Sequence, residues 1–536
     1  MRLSFPRSLA WLFPALFTLW LGPESTNGEE IRFVDRTEGS GLREGLRGIM
    51  GHGGAVGDID GDGHPDYYVG GFADRPNEEY TPLSAPPTNR LLKNRGDGTF
   101  EILDQPAVEI YARTSGAVFA DLDNDGDLDL YCANNAKGSS KREMEPQRSA
   151  TTNRSKLFRN DGGTFVDVSE ESGACPESVL TARNVGVFDY DLDGRLDLFV
   201  VEDRFTKDSG SVLLRNLGDL QFEVVNEKVG IPDGVFGLGM AVADLNADGR
   251  PEFFVGHSNR LFLSRENGTY HEDEALNELF AWEPLDGEDW PCGAAFADLN
   301  RDGRLDLILS IHFREARNRI FLNEGVKDGV PQFRDITPET GLPAAEAEKS
   351  PHVEVQDFDN DGWPDLYFST AKLREDGTAI PLVYRHTGLA DGVPQFEPIS
   401  AWKEEGDLVY YPAGPTCDVD GDGRIDLLPI NWFRGNHSRL LQNETETRNS
   451  WLRISVRGKT FNQQGIGTLI EVFADGERVG CQEITTGYGY ASGQEAKAHF
   501  GLGETSTVDL KIRFPDGTKR EVKAVTELDR EMVLEE

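Results

Sequence analysis

The 536-residue chain has only five cysteines, Cys132, Cys175, Cys292, Cys417 and Cys481, and nine histidines. Thiols so few, scattered and odd in number exclude a disulfide scaffold, and without CxxC or Cys/His spacing they exclude a structural zinc site. Positive charge is scarce too: 54 Lys and Arg stand against 94 Asp and Glu, a formal charge of −40. Such a chain repels phosphate backbones and anionic headgroups, so nucleic acid is not expected as a partner. Beyond the N-terminal segment no apolar run approaches the ~20 residues that cross a bilayer, so no membrane span is expected. A GxSxG elbow, an HExxH pair and a Walker loop are missing, and the GxG pairs at Gly237 and Gly465 lack a Rossmann context. No catalytic residue is therefore assigned.

Apolar residues make up 38% of the chain and include 30 Phe, enough to build a core, while 59 Gly point to many tight turns. An all-β chain is the favoured reading. Residues 1–28 carry Arg2 and Arg7, then the apolar run Ser8 to Leu21, and read as a secretory signal cut between Gly22 and Glu29. The expected location is secreted or extracellular, including the periplasm or a cell surface. Asn-x-Ser/Thr sequons at Asn153, Asn267, Asn436 and Asn443 bear on this only in a host that glycosylates.

A repeat organises the rest. Seven times an apolar stretch runs into D-x-[DN]-x-D-G-x-x-[DE] and then into a strand-like run such as YYVGG, LFVVE or LILSI, with starts 54 to 68 residues apart. Each acidic loop is a hairpin connection, preceded by a Gly- or Ala-rich strand suited to a crowded centre. Farther along the units RLLKN, KLFRN, VLLRN, RLFLS, RIFLN, LVYRH and RLLQN recur, followed by F-x-D-x-[ST] copies seen at Phe165 and Phe333. The seventh unit lacks that last strand, and an orphan copy, FVDRT at Phe33, stands near the N-terminus. A ring closed by this orphan accounts for both facts and removes exposed edges. The expected fold is a seven-bladed β-propeller over 29–448. Residues 449–536 alternate apolar and polar positions and read as a small β-domain.

The acidic loops with their flanks resemble the FG-GAP/VCBS repeat of integrin-α-type propellers. The segments NSWLRISVRG, FNQQGIGTLIEV, TTGYGYASGQ and AHFGLG resemble the ASPIC/UnbV domain. Together they resemble the cartilage acidic protein-like architecture, which loosely implies an extracellular recognition protein.

Three side-chain oxygens at alternate positions, a turn glycine and a further carboxylate offer the 6–8 hard oxygen ligands that Ca²⁺ takes. The expected ligand sets are Asp58, Asp60, Asp62, Asp66; Asp121, Asp123, Asp125, Asp129; Asp189, Asp191, Asp193, Asp197; and Asp244, Asn246, Asp248, Glu252. The last three are Asp298, Asn300, Asp302, Asp306; Asp357, Asp359, Asp361, Asp365; and Asp418, Asp420, Asp422, Asp426. Up to seven Ca²⁺ are expected, most weakly at the fourth and fifth loops, where Asn replaces one Asp. An EF-hand is excluded because the twelfth positions hold Val69, Cys132, Val200, Val255, Leu309, Phe368 and Pro429 rather than Glu.

Hairpin geometry sends the ends of the inner strands to the opposite face. His52, Arg183, Trp290, His352 and Tyr411 are expected to ring the central mouth there, joined by His257 and His312 and by the long connections 70–90 and 133–156. Such a ring suits an extracellular protein or glycan ligand. The function expected first is a non-catalytic recognition or adhesion module. The alternative is an extracellular polysaccharide lyase or hydrolase, with an acid/base pair among Glu202, Asp203, Glu283 and Asp286. The sequence leaves the ligand and the oligomeric state open.

Overall fold

The computed structural model describes residues 30–536 apart from 74–79, 81–82, 84–85, 137–153, 204–209, 283–289, 313–316, 343–348, 370–382 and 400–409. The expected signal segment, Asn153, Glu283, Asp286 and much of the two long connections lie outside the described residues.

Seven four-stranded antiparallel sheets follow one another along the chain, the all-β arrangement expected of seven blades. In the first, the inner strand Gly51–Gly57 leads through the acidic loop to Asp66–Gly71, then to Arg90–Asn94 and the outer strand Phe100–Ile102. The side chains of Asp66–Gly71 alternate between two apolar layers. Tyr67 and Val69 pack with Val419, Leu428 and Ile430 of the seventh blade. Tyr68 packs with Ala117, Leu130 and Cys132 of the second. Both faces of a blade are thus buried, which is why these strands read as continuous apolar runs. One such layer lies between each neighbouring pair of blades, closing the circle. The seventh sheet, with Thr416–Cys417, Asp426–Leu427 and Leu441–Asn443, is completed by Phe33–Asp35, with Phe33 opposite Asn443. The orphan strand therefore closes the ring as expected.

The C-terminal segment forms two sheets. One joins Ser450–Arg457, Ala498–Gly503 and Arg530–Glu535, and the other joins Leu469–Ala474, Glu477–Glu483, Val508–Arg513 and Lys519–Val525. Leu452, Ile470, Val472, Phe500, Leu510 and Ile512 are buried among them. These sheets sit on the face of the propeller that carries the acidic loops. Gln463 hydrogen-bonds Asn124 of the second loop, and the Gly503 N–H donates to the Asn360 carbonyl of the sixth at 2.9 Å. The Trp451 indole covers Gly423 of the seventh so closely that a Cβ there would overlap it.

From this domain the segment 485–494 runs into the central channel. The Gly489 N–H donates to the carbonyls of Met240 (3.0 Å) and Ala294 (2.8 Å), and the Gly54 N–H donates to Ala491 (3.1 Å). Ser492–Gly493 lies parallel to Gly54–Ala55 as a fifth strand of the first sheet. Gly489 has φ +74°, and a Cβ would strike His352 and the Val353 carbonyl, so glycine is required there. The channel is thus filled by backbone from the second domain.

Candidate functional site

Each acidic loop is built the same way. The first-position carboxylate accepts backbone N–H groups of its own turn: Asp189 takes those of Asp193 (3.0 Å) and Gly194 (2.7 Å). The ninth-position acid staples the loop to two strands, as Asp197 accepts from Tyr190 (3.0 Å) and Asn216 (2.7 Å). Positions four and six adopt positive φ in every loop, including non-glycine residues such as Leu192 (60°) and Ala247 (61°). That backbone turns the carboxylates of positions one, three, five and nine toward one another.

In five loops three carboxylates bring an oxygen each within 4.8 Å of one another: Asp58, Asp60, Asp62; Asp121, Asp123, Asp125; Asp189, Asp191, Asp197; Asp357, Asp359, Asp361; and Asp418, Asp420, Asp426. Among the described residues the fourth and fifth loops form no such group. In three of the five the third-position acid keeps a buried oxygen, Oδ1 of Asp123, Asp191 and Asp420, that has no hydrogen-bond partner. A buried carboxylate oxygen without a donor is costly, and a cation removes the cost. These three loops fit a hard divalent ion best. Basic side chains answer part of the charge in four of the five: Lys93 pairs with Asp60 and Asp62, Arg215 with Asp191 and Asp193, Arg385 with Asp359 and Asp361, and Arg424 with Asp422.

Burial pushes these acids up. Among first positions Asp121, Asp189 and Asp298 rise to about 7, and among ninth positions Asp66 rises to about 7 and Asp129 and Glu252 to about 8. Asp197, Asp306, Asp357, Asp365 and Asp426 rise well above the carboxylate range. Neighbouring carboxylates add to the rise, whereas backbone N–H donors oppose it. Without a cation the folded loops hold protons near neutral pH.

Residues 458–536 match the ASPIC and UnbV family profile, and residues 58–132 and 189–255 match that of the FG-GAP-like repeat. The chain carries FG-GAP-like repeats and an ASPIC/UnbV domain. Over 497 residues it is 25% identical to human Cartilage acidic protein 1, spanning 87% of this chain and 69% of that protein. It is 24% identical over 515 residues to the mouse Cartilage acidic protein 1, spanning 91% and 73%. Among solved structures, an Agrocybe aegerita lectin that recognises non-reducing terminal N-acetylglucosamine aligns with TM-score 0.40 and 16% identity, over 73% of this chain and 94% of its own. The exotype rhamnogalacturonan lyase YesX aligns with TM-score 0.42 and 14% identity, over 74% and 73%.

On the face away from the FG-GAP loops, three of the five expected mouth residues come together. The His52 ring lies 5.0 Å from Trp432 and 4.9 Å from Phe72, and Trp290 stacks on His312 at 5.4 Å. Arg183 forms an ion pair with the buried Asp203. His257 flanks Trp290 at 6.3 Å, as expected of a residue following a second strand. The other two expected residues are placed elsewhere. His352 is fully buried in the channel wall, where Nε2 meets Glu354 at 2.9 Å and Nδ1 accepts the Tyr490 N–H at 2.9 Å. Tyr411 is buried too, its hydroxyl accepting from Arg439 at 3.2 Å. His352 thus serves the ASPIC/UnbV segment that fills the channel, and Tyr411 serves its own blade.

Sequence reasoning missed Phe72, Trp432 and Tyr410, and above all Tyr490. The Tyr490 hydroxyl reaches His52 at 3.2 Å, so the second domain supplies the floor of the mouth. A signal for the first two was present: Phe72, His312 and Trp432 each stand six residues after the ninth acid of their FG-GAP loop, as does Asp203. Arg113 lies over Phe72 at 4.2 Å and Lys349 over Tyr410 at 5.5 Å, so basic groups gather on aromatic faces here. Of the acid/base candidates, Glu202 Oε1 accepts the N–H groups of Leu180 (2.6 Å) and Thr181 (2.8 Å), and Asp203 is held by Arg183.

Proposed function

We propose that the chain is an exported propeller whose FG-GAP loops hold calcium for structural purposes, and that it acts as a non-catalytic recognition module through the mouth opposite them. The observation that carries the calcium reading is the set of partnerless buried oxygens on Asp123, Asp191 and Asp420. Side-chain oxygens of the first, third, fifth and ninth positions would hold the ion with the carbonyl of the seventh, as at His64 in the first loop, and the ion would supply the positive charge that orders each hairpin. No described helix is long and apolar enough to cross a membrane, which fits export. The similarity to cartilage acidic proteins supports an extracellular setting.

The mouth supports recognition rather than turnover. The partly exposed rings of Trp290, His312 and Trp432 offer flat apolar surface, and Arg113 and Lys349 bring positive charge against aromatic faces on a strongly acidic chain. The ligand that suits this is an acidic glycan or an acidic protein segment. Lyase or hydrolase chemistry needs an uncommitted acid or base; Glu202 and Asp203 are engaged in holding backbone and Arg183, and Glu283 and Asp286 lie outside the described residues. A glycan array and a matrix-protein binding screen, each with and without calcium, test the reading. Binding weakened at least tenfold by Trp290→Ala, without substrate turnover, supports it. Turnover of a polysaccharide, abolished by the same change, overturns it.

A further inference from the structure

The fourth FG-GAP loop departs from the others in a consistent way. Its third position is Asn246, whose side-chain nitrogen points at Glu252 Oε1 (3.4 Å) and the Gly329 carbonyl (3.3 Å), placing a donor where a ligand oxygen would stand. Its ninth position is Glu252, which makes the two backbone contacts common to the ninth acids, with the Leu245 N–H (2.9 Å) and the Ser264 N–H (3.2 Å), and adds the Ser264 hydroxyl (2.5 Å). Its first position, Asp244, is in a salt bridge with Arg513 Nη1 of the ASPIC/UnbV domain at 2.5 Å, with both side chains at least 86% buried. Among the described residues no other first-position acid of the seven loops has a salt bridge to a basic side chain. The same domain also supplies Glu483, whose Oε2 accepts the Asp244 N–H at 3.0 Å.

We infer that the fourth loop is a docking socket rather than a metal loop: Arg513 takes the place of the divalent ion and latches the ASPIC/UnbV domain to the propeller whatever the calcium concentration. The guanidinium supplies Asp244 with the positive charge that a cation would supply elsewhere, beside the buried Glu483 that holds the Asp244 N–H. A guanidinium carries its charge at every physiological pH, so the pairing through Nη1 does not depend on protonation of the arginine. The loop has kept the turn, with Gly249 at φ +88° and Ala247 at +61°, while exchanging its ligand donors. The latch complements the channel segment, because Glu483 directly precedes the residues that enter the channel.

The inference rests on the calcium reading of the other loops for its counting arm alone. In the full chain, bound calcium is counted by native mass spectrometry for the wild type, Asp189→Asn and Asp244→Asn. The expected result is one ion lost from Asp189→Asn and none from Asp244→Asn; loss of one ion from Asp244→Asn overturns the inference. Thermal melts in excess EGTA supply the second arm. Arg513→Gln and Asp244→Asn are each expected to lower Tm by several degrees, and the double variant no further than either single one. An unchanged melt for Arg513→Gln in EGTA overturns the latch. Should the wild type bind no calcium, the calcium reading fails by itself and the EGTA melts still decide this one.

Discussion

At the scale of single residues, the asparagine carried by five of the seven third strands is the most economical device in the ring. Asn216 is fully buried; its Nδ2 donates to the carbonyls of Leu122 (2.7 Å) in the previous blade and Leu196 (3.0 Å) in its own, and its Oδ1 accepts the Gly218 N–H (2.9 Å). Asn94, Asn160, Asn323 and Asn443 repeat the pattern, each reaching the second residue of a neighbouring acidic loop. Removing such a group strands buried carbonyls and an amide that water cannot reach. Asn216→Ala should cost about 2–4 kcal/mol, measured as a shift of the urea midpoint at unchanged m-value. The recurrence of this Asn was visible in RLLKN, KLFRN and VLLRN, but its partners lie in another repeat, so spacing alone could not assign its work. Its burial also closes the Asn443 sequon to glycosylation in the folded chain, whereas Asn267 is exposed.

Leu192 illustrates a different residue-scale pressure. It sits at φ 60° in the third loop with its side chain partly exposed. Asparagine tolerates that conformation better, and Asn124 and Asn360 stand at the equivalent positions. Leu192→Asn should leave stability unchanged or raise it by about 1 kcal/mol, read from the melting temperature in calcium. A clear fall would show that Leu192 packs more than it strains.

At the scale of the loop, burial and crowding of acids set a pH dependence for the chelated protein. Asp66 and Asp121 lose their protons at about 7 and Asp129 and Glu252 at about 8 when folded, against the ordinary values of 3.8 and 4.5. The folded state therefore binds more protons than the unfolded chain across this window. Stability in EGTA is fully present at the acid end and is lost as pH rises through 7 and 8. Carboxylates held low by their partners, such as Asp35 and Asp167, do not offset this between pH 5 and 8, while buried histidines such as His386 and His437, pushed down to about 4, oppose it below pH 7 but are outnumbered by the raised acids. Tm in EGTA should fall from pH 5 to pH 8, and calcium should suppress the fall by replacing the protons. A melting temperature that rises with pH in EGTA would contradict the reading.

The channel segment is an element in its own right. Gly489 is pinned by Met240 and Ala294 and faces His352 without room for a Cβ. Gly489→Ala should destabilise the chain by at least 2 kcal/mol, through both strain at positive φ and displacement of Tyr490 from His52. Altered near-ultraviolet circular dichroism from the tyrosine-rich mouth should accompany the loss of stability.

For the whole molecule, the sevenfold repeat and the orphan strand at Phe33 make the ring legible in the sequence. Repetition multiplies a weak local signal, and closure follows from counting strands. The seating of the second domain was not legible. It depends on contacts such as Tyr490 with His352 and Arg513 with Asp244, between residues far apart in sequence and in segments without internal period. For the same reason the mouth was foreseen as a region but not as a set: its floor comes from Tyr490, and two of its expected members, His352 and Tyr411, serve the channel wall and core. The acidic loops were fully legible as motifs, and the geometry separates them into five that converge three carboxylates and two that do not.

Calorimetric titration of the chelated full-length chain with CaCl2, followed by melts of the same samples, bears on the calcium loops without relying on any variant. At least five ions and no more than six should bind, as five loops converge their acids and the fourth is occupied by Arg513, and Tm should climb with calcium concentration. No uptake of calcium, with melts superimposable in CaCl2 and EGTA, would contradict it.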